Sequence, residues 1–410
     1  MKRKTLLVLT QVYLPDPASV GQHMADAAEE MVRMGWKVDV LTPNRGYDNH
    51  KDKYKSFEII NGVSIRRIPL TSFGKKNILL RVFSQISLLT IVFFKCLFSK
   101  KPDVILVSTS LVFMVAPILK LIRKIPYVYW IMDLNPDQAI AAKLLAPNSL
   151  TANLYNLVQG FALKHAHSVI SLDTFMKERV KKKSNQISNH FVIPPWPHEE
   201  HLIENSYNDI NFRKNNNWGD KRVLMYSGNH SIVHPLDTFL KASKQFEGDD
   251  KFLLAFVGGG LGKQQINQWI KENPMSPVDS LPYQPIENLK NSLSAADVHL
   301  VSMGNSMAGC VHPCKVYGAM AIGKPILLLG NNNNHISEII NQYDIGWSVE
   351  HGDIDEMINM LIYLRDVDED VLMEKGNNAK EAILSNYSQK ILMNKFCSYI
   401  DDIGSSKSHS

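Results

Sequence analysis

Short apolar runs alternate with amphipathic helical stretches along most of this 410-residue chain. The first run, Thr5–Thr10, is rich in branched side chains and is typical of a buried strand. Similar runs return after each helical stretch, and such alternation indicates βαβ units with a parallel sheet. The pattern therefore predicts the α/β class.

The pattern before residue 194 predicts strands at Thr5–Thr10, Lys37–Leu41, Ser64–Ile68, Val104–Val107, Tyr127–Trp130, Ser168–Ser171 and Phe191–Ile193. The helices predicted between them are Gly21–Met34, Ile78–Phe98, Leu111–Lys124, Leu150–Lys164 and Thr174–Lys182. Ser149 and Asp173 precede two of these helices and are expected to cap them, because their side-chain oxygens can accept from the first free amides.

Three prolines within four residues, Pro194, Pro195 and Pro197, interrupt the pattern and predict a stiff linker. Beyond it the strands are predicted at Val223–Ser227, Phe252–Val257, Val298–Val301 and Pro325–Leu329. The helices are predicted at Pro235–Phe246, Lys263–Glu272, Ile286–Ser294, Lys315–Met320, Ile336–Gln342, Asp355–Leu364, Glu369–Leu384 and Ser388–Ile400. The sequence thus predicts two Rossmann-like, doubly wound domains, 1–194 and 195–387, which face each other across a ligand cleft.

Composition narrows the class of protein. A hydrophobic fraction of 45% with 9% aromatic residues excludes a mostly disordered chain, and four cysteines exclude a disulfide scaffold and fit a reducing cytoplasm. The first ten residues resemble the start of a signal peptide. A buried strand is the better interpretation, because no small-residue cleavage site follows them.

Charge is distributed unevenly. Residues 1–200 carry 27 Lys and Arg against 15 Asp and Glu, whereas the remainder carries 18 against 25. Within the basic half, the apolar stretch Ile78–Phe98 is flanked by Lys75, Lys76, Lys100 and Lys101. We interpret it as an interfacial helix on an anionic membrane surface, with a core helix as the alternative, because polar residues interrupt it too often for a membrane span.

The segment Met303–Pro325 combines glycines with a predicted helix start near Pro313 and Lys315. Free amides at a helix N-terminus attract anions, and the lysine adds a positive charge, so a diphosphate is the expected ligand. An ordinary strand-to-helix turn is the alternative. A Cys310-x-His312-x-Cys314 pattern lacks a fourth zinc ligand, and we expect no bound metal there.

Other candidates follow predicted strands or open helices. Asp133 comes directly after an apolar run, and His23 lies on the helix that opens near Gly21. The loop predicted after Ser227 offers Gly228 for close approach, together with three hydrogen-bonding side chains: Asn229, His230 and His234. The glycine-rich segment Phe256–Lys263 lacks both the spacing of an NTPase loop and the acidic residue that dinucleotide binding requires.

Several of these motifs resemble one family. The two-domain pattern, the SGN segment, the VGGG turn, DLNPD and PCKVYGAMAIGKP resemble glycosyltransferase family 4 with its GT-B fold, in the branch that makes polysaccharides and O-antigens. The resemblance implies metal-independent, retaining transfer of a hexosyl or N-acetylhexosaminyl group from a nucleotide-diphosphate sugar. It also implies that the first domain holds the acceptor, that the second holds the donor, and that the helix at 388–401 packs back on the first.

From the resemblance and the residues together we predict four catalytic residues: Asp133, His23, Lys315 and His234. The predicted donor-binding residues are Gly228, Asn229, His230, Gly258, Gly259, Gly260, Tyr283, Gln284, Cys310, Val311, His312, Cys314 and Gly318. Gly21, Gln22 and Asn135 are predicted on the acceptor side. The expected partners are a nucleotide sugar and a lipid-linked or saccharide acceptor, with an anionic membrane surface contacting residues 75–101; no cofactor and no nucleic acid are expected. The expected location is cytoplasmic, at the inner face of the cell membrane.

The sequence departs from the family at two positions. Cys310 and Gly318 stand where the family usually has two glutamates, the second of which grips the donor ribose. Lys315 and the amides of residues 310–314 are expected to replace the missing interactions. Two alternative functions therefore stay open: a catalytically impaired nucleotide-sugar-binding protein and a UDP-sugar epimerase with the same fold.

Overall fold

The computed structural model describes residues 3–16, 18–46, 52–69, 78–198 and 210–405. They form two compact units. The N-terminal unit runs to Trp196 and also contains Gly309–Val311 and the segment from Lys390 onward; the C-terminal unit contains Pro197–Ala308 and His312–Gln389.

The N-terminal unit is built on an eight-stranded sheet in the order β3-β4-β2-β1-β5-β6-β7-β8. Its strands are β1 (Thr5–Leu9), β2 (Lys37–Pro43), β3 (Phe57–Ile60), β4 (Val63–Ile68), β5 (Val104–Ser108), β6 (Tyr127–Trp130), β7 (Ser168–Ser171) and β8 (His190–Val192). Neighbouring strands are parallel, except that β3 pairs antiparallel with β4. The central strands β5, β6 and β7 are fully buried, which explains why their sequences are mainly apolar.

Helices connect these strands: α1 (Ser19–Arg33), α2 (Ile78–Phe98), α3 (Val115–Arg123), α4 (Asp137–Ala141), α5 (Leu150–His165) and α6 (Thr174–Lys183). The crossovers from β4 to β5, β5 to β6 and β6 to β7 all run in one direction along the sheet. Because such crossovers are right-handed, α2, α3 and α5 lie on the same face.

The C-terminal unit is a six-stranded parallel sheet in the order β11-β10-β9-β12-β13-β14. Its strands are β9 (Arg222–Asn229), β10 (Phe252–Gly259), β11 (Val278–Leu281), β12 (Val298–Ser302), β13 (Ile326–Leu329) and β14 (Gly346–Val349). The helices are α7 (Ile210–Asn215), α8 (Asp237–Ser243), α9 (Lys263–Glu272), α10 (Leu289–Ser294), α11 (Lys315–Ala321), α12 (His335–Tyr343), α13 (Ile354–Asp366) and α14 (Glu369–Ala382). An aromatic and aliphatic core that includes Phe239, Phe252 and Phe256 packs against the sheet.

The last helix, α15 (Gln389–Ser405), packs within the N-terminal unit from Lys390 onward. The Asp401 carboxylate accepts a hydrogen bond from the indole Nε1 of Trp36 at 2.7 Å and pairs with Lys4 at 2.9 Å. Nearer the start of α15, Phe396 packs on Trp130 with ring centroids 4.3 Å apart. Aromatic packing and a shared carboxylate thus fix the end of the chain to the beginning of the sheet.

Many predicted elements are confirmed. Strands Tyr127–Trp130 and Ser168–Ser171 and helices Ile78–Phe98 and Lys263–Glu272 have the predicted bounds, and most other elements differ by a few residues at their ends. Both predicted caps form: Ser149 accepts from the Ala152 amide, and Asp173 accepts from the Met176 amide.

Some predictions were wrong or incomplete. The helix predicted from Leu111 starts as a short 3-10 turn, and β3, β11 and β14 were missed. These three strands are short and only partly buried, and each ends a sheet, so they show no continuous apolar run. Lys75 and Lys76 lie outside the described residues. Of the helices that the structure describes, none has the length and hydropathy needed to span a bilayer.

The packing of Gly404 against Trp36 yields a stability prediction. A Cβ at position 404 would lie 2.2 Å from Cη2 of Trp36, which is 1% exposed. We expect Gly404→Ala to lower the free energy of unfolding by about 1–3 kcal/mol, the usual cost of overpacking. Urea unfolding followed by far-UV circular dichroism measures the change.

A double-mutant cycle tests the cause of this effect. Phenylalanine at position 36 lacks the outer indole ring, so Gly404→Ala should cost much less in a Trp36→Phe background. An equal cost in both backgrounds would show that the indole contact is not responsible.

Candidate functional site

The carboxyl ends of β9 and β10 meet the start of α11 in the C-terminal unit. Gly228, near the end of β9, has φ of +125°, and a Cβ there would lie 2.7 Å from Cε of Lys315. The Lys315 ammonium lies over the ring of Tyr226, 5.2 Å from its centroid. Glycine at position 228 is therefore required both by backbone conformation and by the approach of the lysine.

Lys315 is a half-buried cation at a helix N-terminus. Burial lowers its pKa to about 8, although the nearby Cys314 acts in the opposite direction. Among the described residues it forms no ion pair, and its principal contact is the aromatic face of Tyr226. Because a desolvated charge without a counterion is unfavourable, this position favours an anionic ligand. The sequence analysis missed Tyr226, which reads as an ordinary buried strand residue.

His234, which the sequence analysis predicted as a catalytic residue, lies beyond β9 and contacts the end of β12. Its Nδ1–H donates to the Ser302 carbonyl at 2.7 Å, and burial, reinforced by the charge of Lys315, lowers its pKa to about 3. The ring is neutral at physiological pH and carries no positive charge for a phosphate. The hydrogen bond instead holds the segment after β9 against the end of β12.

His230 lies beside Tyr226, with the two ring centroids 5.3 Å apart. It is 1% exposed, and neither ring nitrogen has a hydrogen-bond partner. Burial, together with the charges of Lys263 and Lys315, lowers its pKa to about 4, so the ring is neutral. A buried ring with both nitrogens unpaired is costly unless a ligand or water completes it.

The glycine-rich segments predicted as loops largely continue the strands. Gly228 and Asn229 end β9, whereas Gly258 and Gly259 end β10, and Gly260 follows directly. The exposed Tyr283 ring lies against Gly259, where a Cβ would be 2.8 Å from it, and its hydroxyl donates to the Gly259 carbonyl. Gln284 follows, and its side-chain amide donates to the Pro282 carbonyl.

Residues 312–318 continue the site around the start of α11. His312 bonds to the Tyr317 hydroxyl at 2.8 Å and stacks on His335 at 3.8 Å between ring centroids. The Cys314 thiol lies near the His312 carbonyl, and Gly318 is buried within α11. The side chain of His312 therefore packs inside the unit, while Lys315 has the more exposed position at its edge.

Cys310 and Val311 belong to the N-terminal unit, and both are buried. The Cys310 carbonyl accepts from the Leu134 amide at 2.9 Å, and burial raises the pKa of its thiol to about 11. The Cys310 side chain is thus buried within the N-terminal unit, and its role in donor binding stays a prediction. The same burial excludes an activated thiolate at this position.

Asp133 lies just beyond β6 in the N-terminal unit. Burial raises the pKa of its carboxyl to about 6, and its backbone amide bonds to the Thr109 hydroxyl at 3.1 Å. Among the described residues its carboxylate forms no ion pair. An ionisable group with such a pKa can accept a proton near neutral pH, so its chemistry suits a hydroxyl partner.

His23 was predicted, like Asp133, as a catalytic residue, but it has a packing role. It is 1% exposed, and its ring nitrogens face the carbonyls of Ser19 and Trp196 at 2.8 and 2.9 Å. It also packs against the rings of Trp130 and Trp196. A ring occupied in this way is not available to a substrate hydroxyl, so the catalytic prediction for His23 was wrong.

The three residues predicted on the acceptor side all lie in the N-terminal unit. Gly21 is buried in α1 close to Val12 and Tyr13, while Gln22 and Asn135 are half-buried. Nothing in their geometry adds to the case for acceptor binding, and that role stays a prediction.

Two family models match the chain in sequence. The model described as "Glycosyl transferase 4-like domain" matches residues 19–196, and "Glycosyl transferases group 1" matches residues 208–382. The probable glycosyltransferase WbjE of Pseudomonas aeruginosa is 25% identical over 304 residues, which cover 74% of this chain and 75% of that protein.

Solved structures share the fold at low identity. Sucrose-phosphate synthase from Thermosynechococcus elongatus has a TM-score of 0.74 with 16% identity, covering 98% of this chain and 100% of that one. Anabaena Alr3699/HepE in complex with UDP-glucose has a TM-score of 0.71 with 16% identity, covering 97% and 99%. WaaG, a glycosyltransferase involved in lipopolysaccharide biosynthesis, has a TM-score of 0.69 with 15% identity, covering 96% and 99%.

The two family models together account for both units, and the structural likeness extends over nearly the whole chain. The chain is therefore a glycosyltransferase of the GT4-like family with the GT-B fold.

Proposed function

We propose that this glycosyltransferase transfers a sugar from a nucleotide-diphosphate donor, held by the C-terminal unit, to a polysaccharide or lipid-linked acceptor. The observation that carries the proposal is the half-buried Lys315, which has no ion pair among the described residues and lies at the N-terminus of α11 beside Gly228. A diphosphate would supply the missing negative charge. The UDP-glucose complex of Alr3699/HepE supports a uridine nucleotide.

The leaving group is the nucleoside diphosphate, so catalysis depends on stabilising its charge. We expect Lys315 and the first amides of α11 to do this, because Lys315 is the first residue of that helix and a helix N-terminus favours anions. Tyr283, against Gly259, offers an exposed aromatic face to the nucleobase. We expect no metal to be needed, and we expect retention of configuration, with the leaving phosphate taking the acceptor proton.

The acceptor side is proposed for the N-terminal unit, where Asp133 has a carboxyl pKa of about 6. WaaG, which shares the fold, is a glycosyltransferase involved in lipopolysaccharide biosynthesis, and this supports an acceptor in cell-surface glycan biosynthesis. A lipid-linked acceptor fits the basic charge of the first half and the apolar α2, and would place the enzyme at the inner membrane face, with residues 75–101 against anionic lipid.

A donor screen followed by a transfer assay tests the function. UDP, GDP, ADP and dTDP sugars are compared by thermal shift, and the stabilising donor is then incubated with and without acceptor. Release of nucleoside diphosphate that depends on an acceptor is expected. A stereoisomer formed from donor alone would indicate an epimerase, and binding without release across an acceptor panel would indicate a non-catalytic protein.

Removing the Lys315 charge should weaken donor recognition. We expect Lys315→Ala to lower affinity for the nucleoside diphosphate by about 1.5–3 kcal/mol, the usual value of a charged hydrogen bond. Because the cationic form binds the diphosphate, wild-type affinity should fall as pH rises above about 8, whereas the variant should show no such dependence. Calorimetry between pH 6.5 and 9.5 measures both effects.

Lys271 provides the matched control, because it is an exposed lysine on α9 of the same unit. Lys271→Ala should retain both the affinity and its pH dependence. Equal affinity in Lys315→Ala and the wild type at pH 7 would remove Lys315 from the donor site.

His230 is expected to bond to the donor through a ring nitrogen. His230→Phe keeps an aromatic ring between Tyr226 and Phe256 and removes two unpaired buried nitrogens. Stability should therefore be unchanged or higher, while donor affinity falls by about 1–2 kcal/mol. Thermal unfolding and calorimetry separate the two effects; a variant that binds donor normally would show that His230 only packs the unit.

A further inference from the structure

Three neighbouring helices of the N-terminal unit present apolar side chains to solvent. On α5 the exposed residues Leu150, Leu154, Leu157 and Phe161 recur at helical spacing and form one stripe. Leu150 and Leu157 are 83% and 72% exposed. The opposite face of α5 is already buried through residues such as Ala162 and Leu163, so the outer stripe is not needed for the core of the unit.

The adjacent helices continue this surface. The exposed apolar residues of α3 are Ile118, Leu121 and Ile122, and those of the described part of α2 are Ile86, Ile91, Phe94 and Phe98. Since α3 packs against both α2 and α5 on one face of the sheet, the three stripes lie side by side. We call this the three-helix face. Exposed apolar side chains grouped on neighbouring helices in this way favour an interaction surface.

The charge of the three-helix face has a single sign. The sequences of α2, α3 and α5 contain no aspartate or glutamate, and their described basic side chains are Lys95, Lys120, Arg123 and Lys164. Lys100 and Lys101 follow α2 directly, and Lys124 ends α3. The partner must therefore accept apolar side chains and carry negative charge.

A basic cavity extends this charge at the end of α2. It has a volume of about 180 Å³ and lies between α2 and the sheet, with Lys37, Arg66, Lys95 and Lys100 in its lining. Asp39 also lines it and pairs with Lys37 at 3.2 Å. Lys95, Lys100 and Arg66 form no ion pair among the described residues, so the positive charge is left for an anionic partner.

We propose that the three-helix face docks on a bilayer that contains anionic phospholipids, with α2, α3 and α5 lying in the headgroup plane. Apolar side chains would enter the boundary of the acyl chains, and the long basic side chains would extend to the phosphates. A second copy of this chain is the poorer match, because a symmetric pair would bring two basic faces together without any acidic residue between them. The inference extends the membrane contact of the proposed function from residues 75–101 to α3 and α5.

Vesicle sedimentation with the full chain tests the proposal. The wild type should partition at least tenfold more strongly onto phosphatidylcholine vesicles containing phosphatidylglycerol than onto phosphatidylcholine alone. Leu154→Gln/Leu157→Gln should reduce binding to the anionic vesicles at least tenfold, since it removes two exposed apolar side chains of α5. Lys95→Glu/Lys164→Glu should reduce it by a similar factor and weaken its dependence on salt.

The matched control is Met373→Gln/Leu384→Gln, which changes two exposed apolar residues of the C-terminal unit and should bind like the wild type. Thermal unfolding checks that every variant is folded. Equal binding by the wild type and the α5 variant, or no preference for anionic vesicles, would overturn the proposal. A dimer in sedimentation velocity that the α5 substitutions dissociate would overturn it in favour of a second copy.

The vesicle measurement uses no nucleotide sugar, so it separates this inference from the proposed function. If no donor binds but the vesicle results hold, the proposed function fails and the docking surface stands. If donors bind and turn over but the protein does not bind vesicles, the docking surface is contradicted and the proposed function is not.

Discussion

The site in the C-terminal unit depends on one constraint: a lysine ammonium is held in a partly desolvated position, and none of the described carboxylates pairs with it. Gly228 makes room for the side chain, Tyr226 supplies an aromatic face, and α11 begins at Lys315 itself. The aromatic face stabilises the positive charge, and the helix N-terminus adds to the positive potential, so none of these features neutralises the lysine. The lowered pKa of Lys315 reflects the unfavourable free energy of burying its positive charge. An anion bound beside the lysine would reduce that free energy.

Much of the fold could be predicted from the sequence because its central strands are buried on both faces. Buried parallel strands have mainly apolar sequences, and Tyr127–Trp130 and Ser168–Ser171 were located with their observed bounds. The strands β3, β11 and β14 could not be found in this way, because they lie at sheet edges where polar and apolar residues mix. Their pairing is decided by neighbouring strands that are distant along the chain, not by a local pattern.

The site was predictable in part, and the errors have a common cause. Lys315 could be identified because a helix start is a local feature of sequence. The burial of His23 and Cys310 is not local: His23 contacts Trp196, 173 residues away, and Cys310 bonds to Leu134. The neutral state of His234 was hidden for a related reason, because its ring donates to the carbonyl of Ser302, 68 residues farther along the chain. The sequence identifies a histidine or cysteine, but only the fold determines which groups it contacts.

The unusual residue at position 310 is consistent with the electrostatics of its surroundings. Cys310 is fully buried, with Asp137 and Asp173 raising the pKa of its thiol and Arg179 and Lys183 lowering it. Lys183 is itself paired with Asp137, so part of that positive charge is already neutralised. A carboxylate at position 310 would be buried among positive and negative groups whose charges nearly cancel. Desolvation would then favour its protonated, neutral form. A neutral side chain at position 310 avoids this cost.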